Sequence, residues 1–122
     1  MPTKTVFQLP EVGLLIRAPY VEWILDGIKT WEMRSRRTAR RGRIGLIRSQ
    51  SGLVVGEANL VRVEGPLTHD ELQQNARKLN TTRKEVFAPV QDTYAWVLEE
   101  ARRYDTPIPY THRSGAVIWA RL

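Results

Sequence analysis

The chain has 122 residues, of which 42% are apolar, so it can build one hydrophobic core and one globular domain. It contains no cysteine, which excludes a disulfide framework, a thiolate zinc site and a cysteine nucleophile. Nineteen basic residues against thirteen acidic ones give a net charge of +6, which favours a polyanionic partner such as nucleic acid. No apolar run approaches the ~20 residues of a membrane span and no signal segment opens the chain, so we expect a cytoplasmic protein without membrane contact.

The first elements follow from local sequence signals. Residues 1–12 show little hydrophobic periodicity, and we interpret them as an N-terminal arm before a single domain over residues 13–122. The apolar run 14–16 predicts a short buried strand. Pro19 suits the first turn of a short helix, and Gly27 suits its C-terminal end.

Three further strands are predicted over residues 30–35, 43–48 and 53–63, with a Ser-Gly turn at 51–52 before the third. The third strand is the longest of them. Small and apolar residues at its alternate positions predict one inward face, narrow enough for the interior of a barrel: Val54, Gly56, Ala58 and Leu60.

The second half of the chain is less regular. A capping box at 68–71 predicts a helix to about residue 79, and a second short helix is plausible near 82–87. Segment 94–104 has apolar residues at helical spacing, so periodicity alone predicts a helix there. Residues 115–121 predict a closing strand, in which Val117 and Trp119 lie on one face and Ala116 and Ile118 on the other.

Arginine is concentrated in residues 34–43, which contain six of them in ten positions. Its planar guanidinium matches phosphate geometry and stacks on bases, so this loop is a candidate nucleic-acid contact. The alternative is a solvated loop that keeps the protein soluble. We favour the first interpretation, with the following candidate contacts: Arg36, Arg37, Arg40, Arg41, Arg43 and Arg48.

A charged cluster in residues 27–34 is the strongest candidate site. On a strand, Thr30, Glu32 and Arg34 share one face, while the large apolar residues between them point into a core. Lys29 lies at the turn into this strand, where alternation does not decide its direction. The common fate of such charges is a partly exposed ion pair, but a carboxylate and a guanidinium on one face can also grip a polar ligand.

Residues 27–34 read Gly-Ile-Lys-Thr-Trp-Glu-Met-Arg and resemble the Gly-x-Lys-x-x-Glu-x-Arg signature of the ASCH family. The resemblance extends over nearly the whole chain, through Ala18-Pro19-Tyr20, Trp23, Gly42-Arg43-Ile44-Gly45, Gly56-Glu57-Ala58, Tyr94-Ala95-Trp96 and Pro109-Tyr110. It implies an α+β fold: a small, mostly antiparallel PUA-like β-barrel of about six strands with two or three short helices. It also implies that residues 94–98 form a barrel strand, which we adopt against the helical spacing.

The resemblance implies binding of RNA or of a modified nucleoside, with a cleft formed by Lys29, Glu32 and Arg34. Some members are amidohydrolases on N4-acetylcytidine, with a threonine three residues after the lysine. Here that position holds Glu32 and the available hydroxyl is Thr30, so this activity is in doubt. Others are single-strand ribonucleases. For that reaction Glu32 is the candidate general base, and Lys29 and Arg34 are the candidate residues that stabilise a phosphorane. A protein-interaction module in transcription or translation is a third possibility.

Other candidate residues would line the cleft. Tryptophans in a small barrel are usually core, yet four rings are candidates to stack on bases: Trp23, Tyr94, Trp96 and Tyr110. Ser49 and His112 are candidate cleft residues, although a lone loop histidine is more often a bystander. His69 is expected to face solvent. Neither histidine has metal-ligand spacing and no phosphate-binding glycine loop occurs, so we expect no metal and no cofactor.

Overall fold

A six-stranded, curled sheet forms a half-barrel in the computed structural model, which describes residues 7–122. The strands are β1 Val12–Ile16, β2 Trp31–Arg34, β3 Gly42–Arg48, β4 Leu53–Glu64, β5 Tyr94–Pro109 and β6 Trp119–Arg121. Their order across the sheet is β2-β5-β4-β3-β1-β6, and all neighbours are antiparallel except β1 and β3. The first six residues of the predicted arm 1–12 lie outside the described residues.

Two short α-helices lie between the strands: α1 Tyr20–Leu25 and α2 His69–Gln74. Two single 3-10 turns, Ala76–Leu79 and Arg83–Glu85, follow α2. The predicted fold class, a small and mostly antiparallel α+β PUA-like fold of six strands, is confirmed. In the described part of the chain, no helix is long and apolar enough to cross a membrane.

Strand β5 resolves the ambiguous segment 94–104 in favour of a strand. It pairs with β2 on one side and β4 on the other, and its residues 95–98 are all buried. A strand that is covered on both faces carries a continuous apolar run instead of an alternating one. That run produced the helical spacing, and the chain kinks only later, at Glu100 with a φ of 53°.

The predicted inward face of β4 is wrong at Val54. In the pairing of β3 with β4, Leu46 lies opposite Gly56, but the next residue, Ile47, lies opposite Val54. The register therefore shifts after Leu46, and Val55 has no partner residue on β3. Val55 is therefore bulged, and it packs in the main core with Ala58 and Leu60. Val54 packs instead in a second cluster with Ile47. A bulge of this kind changes the face to which every preceding side chain points.

Three other boundaries differ from the expectations. The capping box is present, since the Thr68 hydroxyl accepts from the Glu71 amide at 3.1 Å, but α2 ends at Gln74 and continues as a 3-10 turn. The helix predicted near 82–87 is one 3-10 turn. The last strand covers only Trp119–Arg121, because a turn at residues 114–115 and a bend at residues 117–118 precede it, and Val117 in the bend is 77% exposed.

Helix α1 is held against the sheet by packing and by ion pairs. Its buried side chains are Val21, Ile24 and Leu25. On its outer side, Glu22 accepts hydrogen bonds from Arg48 of β3 at 2.7 Å and from Arg103 of β5 at 3.3 Å. The Arg48 hydrogen bond lowers the pKa of the Glu22 carboxyl, against the opposing effect of burial. The helix thereby fixes the turn that leads into β2.

Gly56 permits this packing, and we predict that Gly56→Ala destabilises the fold. A Cβ at this position would lie 2.4 Å from the Arg102 carbonyl oxygen and 2.4 Å from Leu25 Cδ2. The backbone of β5 cannot yield freely, so the overpacking should lower the unfolding free energy by about 1–3 kcal/mol in urea titrations. Gly115→Ala is the control, since no atom lies within 4 Å and only its φ of 88° opposes a side chain. An unchanged midpoint for Gly56→Ala would contradict the predicted clash.

Candidate functional site

Strand β2 supplies the floor of a cleft of about 710 Å³. The cleft lies between the ends of β1 and β2 on one side and the irregular segment 79–93 on the other. Lys29, Glu32 and Arg34 all line it, so the structure brings together the three charged residues that the signature singled out.

Lys29 points into the cleft, which the sequence left undecided. Its turn is fixed because the amides of Ile28 and Lys29 both donate to the Trp23 carbonyl, at 3.0 and 3.1 Å. The side chain is only 5% exposed, and its Nζ donates to the Trp31 carbonyl at 2.5 Å. Nζ also lies 5.7 Å from the centre of the Tyr20 ring. Burial lowers the pKa of Lys29, an effect that Glu32 opposes and Arg34 reinforces.

Glu32 and Arg34 form a rigid pair on the same face of β2. Glu32 is 7% exposed, and Arg34 donates to its Oε2 from Nη2 at 2.8 Å and from Nε at 3.2 Å. Arg34 Nη2 also donates to the Leu15 carbonyl at 2.8 Å, and the guanidinium lies over the Trp96 ring. Both bonds from Arg34 go to Oε2, and within residues 7–122 no donor reaches Oε1. Oε1 is thus an acceptor for a ligand.

The mouth of the cleft is apolar. Phe87, Val90 and Val117 are 90%, 99% and 77% exposed, and all three line the cleft. Tyr20, which is 45% exposed, lines it as well. Sequence reasoning missed Phe87 and Val90, whose one available signal was an apolar run in a segment without periodicity. The site therefore combines a charged floor with an apolar and partly aromatic rim.

Several predicted cleft residues lie elsewhere. Thr30 is not in the lining, and its backbone pairs with Lys78 and Leu98. Trp96, predicted to stack on a ligand, is 2% exposed and is core instead: it stacks on Trp119 with 5.6 Å between the ring centres. A buried indole needs a hydrogen-bond partner, which Trp96 Nε1 finds in the Arg36 carbonyl at 2.8 Å.

The remaining aromatic candidates divide between two places. Trp23 packs edge-on against Tyr20 behind the cleft, and Tyr94 lies beneath the Arg37 guanidinium at 5.0 Å. Neither is in the cleft lining. Tyr110 and His112 line a second, neighbouring groove, whereas Ser49 lines both depressions.

Of the arginine-rich loop 34–43, Arg34 lines the cleft but residues 35–43 do not. Three of the candidate arginines are paired with carboxylates: Arg43 with Glu57, Arg48 at the end of β3 with Glu22, and Arg40 with Glu11 at 4.0 Å. The Arg43 hydrogen bond, with a second from Arg102, holds the pKa of Glu57 at about 2 although burial opposes this. Of the loop arginines, Arg36, Arg37 and Arg41 are exposed, and Arg40 is partly exposed.

The histidines offer no metal site. His69, expected to face solvent, is half-buried, with Nε2 at 2.9 Å from the Val86 carbonyl oxygen. This contact ties α2 to segment 79–93 at the rim of the cleft. Across residues 7–122, no group of three His, Asp or Glu side chains is placed to hold a metal ion.

The fold and the β2 cluster together define an ASCH-type domain. The ASCH domain model matches residues 14–108, and the chain belongs to this family. Among solved structures, the ASCH protein from Zymomonas mobilis matches at 17% identity and a TM-score of 0.66, covering 91% of this chain and 86% of that one.

Two variants of the same Zymomonas mobilis protein also match. A serine-to-alanine variant gives 17% identity and a TM-score of 0.69 over 91% of this chain and 87% of that one. A tyrosine-to-phenylalanine variant gives 20% identity and a TM-score of 0.64 over 80% and 74%. At these identities the likeness concerns the fold. No curated protein sequence matches the chain.

The buried Lys29 should make stability depend on pH. Its pKa is lowered in the folded state, so the unfolded chain holds the proton up to the usual value of 10.5. Stability should therefore rise with pH between the folded and unfolded pKa values, by at most about 1.4 kcal/mol per pH unit. Lys29→Met should remove this rise, as measured by urea unfolding between about pH 7 and pH 10. Lys84→Met, an exposed lysine outside the cleft, is the control. A wild-type advantage that stays constant across this range would contradict the interpretation.

Proposed function

We propose that the protein binds RNA, or a modified nucleoside within it, and that one nucleobase enters the cleft. The observation that carries this proposal is the free acceptor Oε1 of Glu32 beside the buried ammonium of Lys29. A carboxylate acceptor and a cationic donor side by side match the polar edge of a base. Arg34 fixes Glu32 in place, so the ligand does not have to order it.

The shape and the rim of the cleft support the same ligand class. A volume of about 710 Å³ is within the range of pockets for small organic ligands. Exposed rings on the rim, Tyr20 and Phe87, can cover the faces of an unpaired base while its edge meets the charged floor. A carboxylate accepts from the amino group of cytosine or adenine, which uracil lacks. We therefore expect a preference for bases with an exocyclic amino or amide N–H.

The arginine-rich loop is proposed to hold the RNA backbone next to this pocket, through Arg36, Arg37, Arg40 and Arg41. Arg43 and Arg48 contribute positive potential, although their guanidinium groups are already hydrogen-bonded to carboxylates. Arg40 has only a long, exposed pair with Glu11 at 4.0 Å, which a phosphate can replace. Such contacts supply affinity without sequence preference. The partner is proposed to be a cytoplasmic RNA, and no cofactor is required.

A hydrolase is the second candidate, and the state of Lys29 favours it. Burial lowers the pKa of this lysine, as a general base requires. Three hydroxyl-bearing residues, Ser49, Thr81 and Thr93, line the same cleft, whereas Thr30 does not. An acylated cytidine is the proposed substrate of such an enzyme, and a ribonuclease reaction is the alternative.

An NMR titration of the labelled protein with cytidine, uridine and N4-acetylcytidine, followed by a short single-stranded RNA, tests the pocket. We expect shifts centred on the floor residues and tighter binding of cytidine and N4-acetylcytidine, which carry an exocyclic N–H, than of uridine, whose base N–H is in the ring. Glu32→Gln should weaken cytidine binding about tenfold or more and reduce its advantage over uridine, because the carboxylate acceptor is lost. The control is Glu64→Gln, which breaks an exposed pair with Arg62 at the same spacing on β4.

The outcomes of this titration separate the candidates. Shifts with an unchanged ligand support a binding protein, and product signals that grow in the same tube support the hydrolase. Equal effects of Glu32→Gln and Glu64→Gln would contradict the base pocket. The absence of any shift at Lys29, Glu32 and Arg34 would contradict both candidates.

Salt dependence tests the contribution of the loop. Each phosphate contact to single-stranded RNA contributes about 0.7 to the slope of log affinity against log salt concentration. Arg40→Gln with Arg41→Gln should reduce this slope by about 1–2 and weaken different RNA sequences equally. The control, Arg77→Gln with Arg121→Gln, removes the same charge from exposed positions outside the loop. Equal slopes for the two double variants would exclude a specific role of the loop.

A further inference from the structure

Arg17 lies where two depressions of the surface meet. The cleft of about 710 Å³ continues into a groove of about 910 Å³, and four residues line both of them: Leu15, Arg17, Ser49 and Val117. Leu15 is the second-last residue of β1, which ends at Ile16, and Arg17 is the first residue beyond the strand. Leu15 and Arg17 are two positions apart and therefore lie on the same side of the extended chain. Arg17 is the one cationic residue among these four, so any ligand that extends from the cleft into the groove passes it.

The guanidinium of Arg17 is available to a ligand. Arg17 is exposed, and within residues 7–122 its side chain makes no hydrogen bond and no ion pair. This contrasts with Arg34, the other arginine of the cleft, which is held by Glu32 and by the Leu15 carbonyl. An exposed cation at the junction of two depressions is suited to a phosphate, whose oxygens accept from the guanidinium fork.

The second groove has a wall suited to a ribose or a base. The Tyr110 hydroxyl and His112 Nδ1 lie 2.8 Å apart, and the two ring centres are 5.9 Å apart at an interplanar angle of 75°. Gln50 and Ser49, which carry an amide and a hydroxyl group, line the same groove. Hydroxyl and amide groups with aromatic rings are the side chains that recognise unpaired nucleotides.

We propose that the cleft and the groove are two subsites for consecutive nucleotides of one RNA strand. The base of the first nucleotide occupies the charged cleft, Arg17 binds the phosphodiester, and the next nucleoside lies against Tyr110 and His112. This inference rests on the proposed function of the cleft. It adds the ligand class, a phosphodiester-linked chain of at least two nucleotides. It also assigns the first phosphate to Arg17 instead of the loop arginines in residues 35–43, which line neither depression.

The test compares cytidine, cytidine 3′-monophosphate, cytidine 5′-monophosphate and a dinucleoside monophosphate with cytidine at its 5′ or 3′ end. Affinities are measured by isothermal titration calorimetry at low salt. We expect the better dinucleotide to bind roughly tenfold more tightly than cytidine, since a charge-assisted contact is added. Arg17→Gln should bring this ratio close to one. Arg121→Gln, an exposed arginine of β6 outside both depressions, removes the same charge and should preserve the ratio.

NMR of the His112 ring provides a second measurement. The dinucleotide should shift the His112 and Tyr110 signals, whereas cytidine alone should not. If cytidine binds but the dinucleotide gains nothing, the two-subsite inference is wrong and the proposed function stands. If the gain survives Arg17→Gln, or if Arg121→Gln removes it equally, the assignment of the phosphate to Arg17 is wrong. If none of these ligands binds, the proposed function itself fails.

Discussion

The guanidinium of Arg34 joins two strands that the sheet keeps apart. In the order β2-β5-β4-β3-β1-β6, β2 is an edge strand and β1 lies near the opposite edge. The curl of the half-barrel brings them close, and Arg34 of β2 donates to the Leu15 carbonyl of β1 while it holds the Glu32 carboxylate. This side-chain contact replaces the backbone ladder that would close a complete barrel. Leu15 and Arg34 both line the cleft, so the cleft lies at this side-chain closure.

The charges at this closure explain why the site is polar at its base. Removing an ion from water is costly unless it is paired and hydrogen-bonded. Arg34 and Glu32 satisfy each other, and the Lys29 ammonium has the Trp31 carbonyl. Burial nevertheless lowers the pKa of Lys29, so its charged form is incompletely compensated. A ligand with an acceptor for Lys29 and a donor for Glu32 would complete both sets of partners, which makes the floor more than a structural ion pair.

Much of the fold could be predicted because strong local signals coincide with its elements. These signals each act over a few residues: Pro19 and Gly27 at the two ends of α1, the capping box of α2, and the alternation of apolar and charged side chains in β2. The errors arise where tertiary pairing decides. The bulge that moves Val54 to another cluster depends on β3, and the bend that shortens the last strand depends on β1. The buried run in β5 was assigned correctly only through the family resemblance, since burial on both faces removes the strand period.

The site shows the same division between local and non-local information. Glu32 and Arg34 could be predicted because they share one face of β2, and a strand face is a local property. Lys29 precedes the strand, so its direction into the cleft could be learned only from the fold. The rim could not be predicted, since Phe87 lies in irregular chain and Val117 in a bend, and the positions of both depend on the whole fold. The composition also pointed to the closely spaced arginines of the loop. Several of these arginines, however, form hydrogen bonds or ion pairs within the protein. Arg17 stands alone in the sequence, yet its exposure at the junction of two depressions depends on β1 meeting the 110–117 segment. A phosphate site can therefore consist of one arginine that is isolated in the sequence. Whether its guanidinium is available depends on whether it already has a hydrogen-bond or ion-pair partner in space, and not on its neighbours in the chain.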